Sequence, residues 1–250
     1  MQFVFDLDGT ICFRGRPLSE PIVQALDGLA EQGHNIVFAS ARPIRDLLPV
    51  LPRHMRHYPM VGGNGAFAAA EGRIVAAVRF DAPTAEAIVR LIRRYDADYL
   101  VDGTWDYSYS SRVDHPIRRH LDPDGLASSL PLEQLTEMVK AVFLSSSDLA
   151  GLTEELRRLP VVLYRHGSED IVDVSPGGAD KWTGLQALNV KSRQFVAFGN
   201  DANDAPMFRH ALRSVCVGDH EELLALSTEQ VPADERLLAE RIRMLGDQLA

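Results

Sequence analysis

The chain begins with two short, almost wholly apolar segments on either side of one amphipathic segment. Residues 2–8 and 35–39 are predicted to be buried strands, and residues 19–33 carry apolar side chains at helical spacing, from a Ser19 N-cap to Gly33. Strands that are apolar along their whole length are typical of a parallel sheet with helices on both faces, and a helix is the connection that such strands need. The opening therefore predicts an α/β protein with a Rossmann-like parallel sheet.

The pattern of elements changes between residues 81 and 166. Strands there outnumber helices, which favours an antiparallel sheet backed by helices and hence a separate α+β module. We expect a core of residues 1–80 and 167–250, interrupted by an inserted domain of residues 81–166. The inserted elements are strands at 98–102, 105–110, 139–145 and 161–166 and helices at 84–95 and 149–159. Residues 171–175 then lead back to core elements at 180–188 (helix), 194–198 (strand) and from 205 onward (helix), with a last helix at 232–249.

Composition limits the functions that such a chain can serve. With 46% hydrophobic and 24% charged residues, the 250-residue chain has the balance of a globular protein. Its net charge of -9 repels polyanions, so nucleic acid is not an expected partner. No uncharged apolar run approaches the roughly 18 residues of a membrane-spanning helix, and no basic leader precedes Asp6, so we expect a cytoplasmic protein without a membrane partner. A small anionic substrate would have to be held by local cations.

Two carboxylates lie at the end of the first predicted strand, at Asp6 and Asp8, ahead of Gly9. Ligands bind at the carboxyl ends of the strands in a parallel sheet, so a site is expected here. Residues i and i+2 of an extended segment face the same way, which would bring both carboxylates to one place. Carboxylates so close repel each other unless a cation lies between them, and a divalent metal ion would serve. The alternative is an Asp-Gly turn with an incidental second acid.

The segment DLDGT at residues 6–10 resembles the first motif of the haloacid dehalogenase superfamily of phosphatases and phosphotransferases. Three later segments resemble the other motifs of that superfamily. FASAR supplies Ser40 at the end of the next core strand, GADK supplies Lys181 at the start of a helix, and GNDAND at residues 199–204 follows the strand QFVAF. The resemblance extends over essentially the whole chain and is strongest in these core motifs.

The position of the insertion indicates a subtype of that superfamily. One helix and one strand fit between Asp8 and Ser40, whereas the whole inserted module lies between Ser40 and Lys181. A lid at this place, together with the string GGNGA at residues 62–66, resembles the Cof-like branch with a type IIB cap. The resemblance implies that the cap closes over the site, excludes bulk water and contacts the leaving group of the substrate.

The resemblance also implies roles for the motif residues. Asp6 would attack phosphorus and form an aspartyl-phosphate, while Asp8 would act as general acid and then as general base. Mg²⁺ would be bound by Asp6, by the main-chain carbonyl of Asp8 and by the residue at position 200. The residues that would hold the phosphoryl group are Ser40, Ala41, Lys181 and Asn203.

Position 200 departs from the pattern of the superfamily. The motif GDxxND has an acid as its first metal ligand, and this chain has Asn200, with an acid only at Asp201. Asn200 would be a neutral ligand supported from behind by Asp204, or Asp201 would reach in by a small shift of the loop, or activity would be lost. Because Asp6 and Asp8 are intact, we expect the site to bind Mg²⁺ still, with reduced affinity.

These features favour a Mg²⁺-dependent phosphatase that acts on a small phosphorylated metabolite, a sugar or polyol phosphate. A hexose phosphomutase is the alternative enzyme, because such mutases share a similar core, a similar cap and the same kind of DxDGT opening. A catalytically impaired binding or regulatory protein is the alternative from another class, and only Asn200 suggests it. The sequence leaves the oligomeric state open between monomer and dimer.

Overall fold

A computed structural model describes residues 1–165 and 171–250 of the chain. The contacts between Cα atoms divide the chain into two compact units. The first unit combines Met1–Ala76 with Asp180–Ala250, and the second unit is Ala77–Ala179. Among the described residues, no helix is both long enough and apolar enough to span a membrane.

The strands and helices are numbered in chain order. The described strands are β1 (Gln2–Asp6), β2 (Asn35–Ala39), β3 (Met60–Gly62), β4 (Phe67–Ala70), β5 (Arg73–Ala77), β6 (Asp98–Asp102), β7 (Tyr107–Ser110), β8 (Lys140–Ser145), β9 (Val161–Arg165), β10 (Val172–Pro176), β11 (Phe195–Gly199), β12 (Arg213–Val217) and β13 (Glu229–Val231). The described helices are α1 (Glu20–Glu31), α2 (Ile44–Leu47), α3 (Ala82–Arg94), α4 (Leu149–Leu156), α5 (Lys181–Ala187), α6 (Ala205–His210), α7 (Glu221–Leu226) and α8 (Glu235–Leu249).

The first unit is built on a sheet whose described strands follow the order β13-β12-β11-β1-β2-β3-β4-β5. From β13 to β3 neighbouring strands pair in parallel, and β4 pairs antiparallel with β3. Strand β1 lies between β2 and β11, where Phe3, Val4 and Phe5 have no exposed surface. A strand buried on both faces needs apolar side chains at every position, which explains the continuous apolar run in the sequence. The predicted α/β class with a Rossmann-like parallel sheet is confirmed.

The second unit is an antiparallel sheet with helices on one face. Its described strands follow the order β7-β6-β8-β10-β9, and each neighbouring pair is antiparallel. Apolar side chains from α3 and α4 pack with those of β6, β8 and β10 in one core cluster. Within the sheet, the ammonium of Lys140 lies 2.7 Å from Asp173 Oδ2, and both side chains are buried.

The division of the chain differs from the predicted boundaries at 81 and 166. Residues 171–175 were expected to lead back to the core, but β10 pairs with β8 and β9 inside the second unit, which runs to Ala179. The reason is physical: a five-residue apolar strand has the same pattern in either sheet, and only its pairing partners decide where it belongs. The expected end of β9 at residue 166 lies outside the described residues. That the second unit works as a cap stays a prediction.

Smaller differences arise in the first unit. The helix α2 ends at Leu47, and Pro49 lies in the 3₁₀ turn that follows. The last helix begins at Glu235 rather than 232 because the Asp234 carboxylate accepts hydrogen bonds from the N–H groups of Arg236 and Leu237. The sequence analysis also did not predict β12, β13 and α7.

The turn at residues 63–65 is packed against the start of α5, and Gly65 makes that approach possible. Its φ is +103°, and a Cβ at this position would lie 1.8 Å from the main-chain oxygen of Asp180. We expect Gly65→Ala to lower the free energy of unfolding by at least about 2 kcal/mol, measured by urea denaturation, because the clash is with backbone and the conformation is left-handed.

Gly28→Ala is the matched control for this prediction. Gly28 lies inside α1, and a Cβ there would meet nothing within 4 Å. This variant should be as stable as the wild type or more stable by roughly 0.5–1 kcal/mol, since alanine is the better helix former. Equal stability of both variants would contradict the close contact at Gly65.

Candidate active site

The parallel register brings the ends of three strands to one edge of the first sheet. Asp6 ends β1 and is paired with Ala39 of β2, so Ser40 lies beside it. On the other side Phe5 is paired with Phe198, so the turn after β11 reaches the same edge. The motif residues of the first unit therefore come together where a parallel sheet binds its ligands.

Lys181 is the centre of this cluster. Its ammonium lies 2.6 Å from Asp6 Oδ1 and 2.5 Å from Asp204 Oδ1, and the lysine side chain has no exposed surface. A buried ammonium is stable only when carboxylates and hydrogen bonds replace its water. Here two carboxylates share one ammonium, which leaves this buried group with a net negative charge.

The main chain around Lys181 is held from both sides. The Asp180 side chain accepts a hydrogen bond from the N–H of Thr183 at 2.8 Å, and the Thr183 hydroxyl accepts from the N–H of Asp180 at 2.9 Å. This capping box fixes the first turn of α5. Gly65 packs against Asp180 from the other side. The backbone of Lys181 is therefore held in place on both sides.

The charges in the cluster shift each other's protonation. Burial, followed by the negative charge of Asp204, raises the pKa of Asp6 to about 7, although contacts with Lys181 and Thr10 act in the opposite direction. Burial by itself would lower the pKa of Lys181, but the charges of Asp204 and Asp6 outweigh it and hold that pKa above its ordinary value. Lys181 therefore stays charged, and Asp6 is the group that titrates near neutral pH.

Asp8 is held by a different cation. Arg42 Nε lies 2.7 Å from Asp8 Oδ2, and Arg42 Nη2 lies 2.5 Å from Asp8 Oδ1, a bidentate pair. The Asp8 side chain is 45% exposed, whereas that of Asp6 is 6% exposed. β1 ends at Asp6, so Asp8 lies beyond the strand, and the expectation that both carboxylates come to one place stays a prediction.

Ser40 and Ala41 form the turn after β2. The Ser40 hydroxyl accepts a hydrogen bond from the N–H of Arg42 at 3.1 Å, and Ser40 is buried. A hydroxyl that accepts one bond retains a proton to donate. Ala41 is half-buried next to it. The turn therefore offers a neutral donor beside Asp6.

Asn203 is held by a residue that the sequence reading did not assign to the site. Its Nδ2 donates to Asn64 Oδ1 at 3.1 Å, in buried surroundings. Asn64 lies in the glycine-rich turn with a φ of 55°, a conformation that asparagine accepts more readily than most residues. The signal was present as the string GGNGA, but the string alone does not show which side chain Asn64 contacts.

Of the three residues considered for the metal position, Asn200, Asp201 and Asp204, the two acids have other partners. Asp204 Oδ2 accepts from the N–H groups of Asn200 and Asp201, at 2.9 and 3.1 Å, while its other oxygen accepts from Lys181. Asp201 caps the turn at Ala202 and lies 3.4 Å from Nε2 of His220. Both acids are thus engaged in local contacts.

Asn200 is the member of this set that reaches Asp6. One end of its amide lies 3.0 Å from each of Asp6 Oδ2, the main-chain oxygen of Asp8 and Thr10 Oγ1. The Thr10 hydroxyl also donates to Asp6 Oδ2 at 2.6 Å. Among the described residues no three His, Cys, Asp or Glu side chains gather into a metal site, so a cation here would depend on a main-chain carbonyl and an amide as well as Asp6. These oxygen donors fit a hard divalent cation.

Comparison with known proteins agrees with this arrangement. Residues 3–234 match the model of a family described as haloacid dehalogenase-like hydrolases. The chain belongs to this family, as its motifs indicated, and the predicted enzyme class, a phosphatase, is confirmed.

Individual relatives are distant in sequence but similar over nearly the whole length. An HMP-PP phosphatase of Cronobacter sakazakii is 25% identical over 91% of this chain and 88% of its own. A 5-amino-6-(5-phospho-D-ribitylamino)uracil phosphatase of Bacillus subtilis is 23% identical over 86% of this chain and 85% of its own. The structure of the subclass IIB sugar phosphatase BT4131 superposes with a TM-score of 0.79 at 18% identity, covering 98% of both chains. The structural likeness supports the fold of the predicted IIB branch.

The shared ammonium leads to a prediction about stability. We expect Lys181→Met to lower the free energy of unfolding by about 3–5 kcal/mol at neutral pH, because it leaves Asp6 and Asp204 buried without a counter-charge. Lys191→Met, which removes an exposed lysine, should change it by less than about 0.5 kcal/mol. Urea denaturation of both variants measures the difference. Similar stability of the two would contradict the central position of Lys181.

The raised pKa of Asp6 leads to a prediction about pH. In the folded protein Asp6 keeps its proton up to about pH 7, whereas its ordinary value is 3.8. The stability that this proton contributes is present at low pH and is lost as the pH rises through about 7. Asp6→Asn is neutral at every pH, so in EDTA its melting temperature should rise relative to the wild type between about pH 5 and pH 8.

Asp247→Asn is the control for this titration. It removes an exposed carboxylate on α8, and its melting temperature should follow that of the wild type over the same range. A constant difference between Asp6→Asn and the wild type at all pH values would show that Asp6 does not titrate there.

Proposed function

We propose that this chain is a Mg²⁺-dependent phosphatase that hydrolyses a small phosphorylated metabolite, a sugar or polyol phosphate, through a phosphoryl intermediate on Asp6. The observation that carries the proposal is the setting of Asp6: a buried carboxylate with one oxygen on Lys181 and the other on Thr10. Such a carboxylate is fixed in position by groups other than substrate, which favours nucleophilic attack in line.

The metal would be held by Asp6 Oδ2, the main-chain oxygen of Asp8 and the side chain of Asn200, the oxygen donors described above. Phosphatases of this superfamily typically use a divalent metal. When bound, the cation supplies positive charge to the phosphoryl oxygens. Asp201 is not part of this donor set, because it faces His220 and caps its own turn.

The first chemical step uses the Asp6 carboxylate as nucleophile. An oxygen of Asp6 forms a bond to phosphorus while the bond from phosphorus to the ester oxygen breaks, and the electron pair leaves with that oxygen. Lys181 lies against Asp6 and offers its charge to the phosphoryl group. In the second step water attacks phosphorus, the acyl-phosphate bond breaks and the Asp6 carboxylate is restored.

Asp8 serves both steps as acid and base. It donates a proton to the leaving oxygen in the first step and takes a proton from water in the second, a role worth roughly 10²–10⁴-fold in rate. Its greater exposure suits a group that must exchange protons with substrate and water. The bidentate contact with Arg42 keeps the carboxylate in one orientation between turnovers, and one of its two bonds has to open when Asp8 carries the proton.

The phosphoryl oxygens would be bound by donors from three turns. These are the Ser40 hydroxyl, the main chain at Ala41, the Lys181 ammonium and the Asn203 amide. The second unit would act as the cap that selects the leaving group. Location in the cytoplasm and the monomeric or dimeric state stay predictions.

The substrate class is supported by the names of the relatives, an HMP-PP phosphatase, a 5-amino-6-(5-phospho-D-ribitylamino)uracil phosphatase and a sugar phosphatase. A panel of sugar, polyol and nucleotide monophosphates, together with HMP-PP, therefore tests the proposal. We expect release of inorganic phosphate with Mg²⁺ and none with EDTA.

Two variants make this assay specific for the site. Asp6→Asn should release no phosphate, because an amide is a poor nucleophile, while Asp247→Asn on the surface of α8 should retain wild-type activity. Substantial release by Asp6→Asn would reject the nucleophile. Conversion of a hexose 6-phosphate to its 1-phosphate without release would instead identify a mutase.

The intermediate can be detected separately. With a substrate whose leaving group needs no proton, such as an acyl phosphate, Asp8→Asn can still form the intermediate but lacks the base that activates water, so the peptide that contains Asp6 should accumulate the mass of one phosphoryl group after acid quenching of a single turnover. Phosphate release by the wild type without any adduct in Asp8→Asn would favour direct attack by water.

A further inference from the structure

We infer that Asn200 is a metal ligand with two positions: its amide nitrogen faces Asp6 when the site is free of metal, and its amide oxygen faces Asp6 when a divalent cation is bound. The inference rests on the metal dependence in the proposed function. It concerns how a chain with an amide in place of the usual acid at position 200 stabilises both the metal-free and the metal-bound site. It follows from the surroundings of one amide end.

Without a cation and with Asp6 ionised, the nitrogen suits these surroundings better than the oxygen. The inner end of the amide has three oxygens at 3.0 Å, from Asp6, Asp8 and Thr10. The oxygens on Asp6 and Asp8 accept hydrogen bonds but cannot donate one when Asp6 is ionised. The Thr10 hydroxyl gives its proton to Asp6 at 2.6 Å, which leaves its lone pairs for the amide. An –NH₂ group at the inner end can donate its two hydrogens to two of these three acceptors, whereas an oxygen there could accept only from the Thr10 hydroxyl, which would then give up its bond to Asp6.

With a cation, the same spacing suits the oxygen. Mg²⁺ takes oxygen ligands in an octahedron at about 2.0–2.1 Å, so neighbouring ligand oxygens are √2 times as far apart, about 2.9–3.0 Å. The amide end is 3.0 Å from both Asp6 Oδ2 and the main-chain oxygen of Asp8. These three atoms therefore have the spacing of adjacent ligands in a magnesium site. The two states differ in which amide atom is innermost, and in the metal-bound state the nitrogen at the outer end faces only donors, a cost that the bound cation has to offset.

Rotation of the amide is permitted by its surroundings. The Cβ–Cγ torsion of asparagine is broad and roughly two-fold, so a half turn exchanges the oxygen and the nitrogen with little movement of other atoms. The outer end lies against Gly9, where a Cβ would come within 2.2 Å of the amide. The main-chain N–H of Asn200 stays on Asp204 Oδ2 at 2.9 Å, which holds the backbone while the side chain turns.

The charge of the site explains how an amide at position 200 differs in effect from a carboxylate. Asp6 and Asp204 already share the single ammonium of Lys181, so an acid at position 200 would add a third carboxylate to the metal-free cluster. The neutral amide instead links Asp6 to the Asp8 carbonyl. Metal binding must then break these bonds and gains no ligand charge, so the site should bind Mg²⁺ weakly and release it readily.

The test compares wild type, Asn200→Asp and Asn35→Asp. Asn35 is exposed at the start of β2, at the end of that strand away from Ser40, so its variant adds the same charge away from the cluster. We expect Asn200→Asp to bind Mg²⁺ about tenfold or more tightly by calorimetry, and to melt at a lower temperature than wild type in EDTA. Asn35→Asp should match wild type in both measurements.

A second measurement observes the amide itself in the wild-type protein. The side-chain N–H signals of Asn200 are identified in a nitrogen-15 spectrum by their absence from Asn200→Asp. Saturation with Mg²⁺ should shift this pair and speed its exchange with water, because the –NH₂ group leaves its three acceptors. This reading does not depend on the stability of the variant or on turnover.

Each outcome separates this inference from the function on which it rests. If Mg²⁺ binds but the Asn200 signals do not change, or if Asn200→Asp binds it no more tightly, the two-position ligand is rejected while the phosphatase proposal stands. If neither protein binds Mg²⁺, the proposed metal dependence itself fails.

Discussion

The site depends first on one ammonium that two buried carboxylates share. Lys181 lies between Asp6, at the end of the central strand β1, and Asp204, in the turn after β11. None of the three is tolerable alone in buried surroundings, because each charge needs the others in place of water. The same contacts that hold the turn after β11 to the strand edge also hold the proposed nucleophile in position. Stability and chemistry are therefore coupled at this point.

Rigid main chain supports that cluster from outside. The capping box of Asp180 and Thr183 fixes the first turn of α5, and the glycine-rich turn packs so closely that Gly65 has room for no side chain. The same turn presents Asn64 to Asn203. Precise placement of a functional group requires support of this kind, since a group on a loose loop would sample many positions. These backbone turns therefore position the uncharged side chains of Asn64 and Asn203, whereas Lys181 positions the carboxylates of Asp6 and Asp204.

Much of this arrangement was predictable from local pattern. The apolar run of β1, the helix after it and the spacing of the motifs indicated a parallel sheet with a site at the carboxyl edge. The partners of Asp8 and the sheet to which β10 belongs were not predictable. Arg42 is close to Asp8 only because β1 and β2 are neighbours, and β10 has an apolar pattern that suits either sheet. Such facts depend on pairing between distant segments, and local pattern carries no record of it.

By itself, the sequence determined the fold class and the family, and it predicted the candidate site residues that the motifs contain, although not the contact of Asn64 with Asn203. Each of these depends on residue type and on spacing along the chain, and both can be read directly from the sequence. Tertiary structure alone decided that Asp6 is buried on Lys181 while Asp8 is exposed on Arg42, that Asp201 faces His220, and that Asn200 reaches Asp6. The physical reason is that charge, burial and hydrogen-bond geometry are properties of the neighbours in space, and the fold supplies those neighbours from segments far apart in the chain.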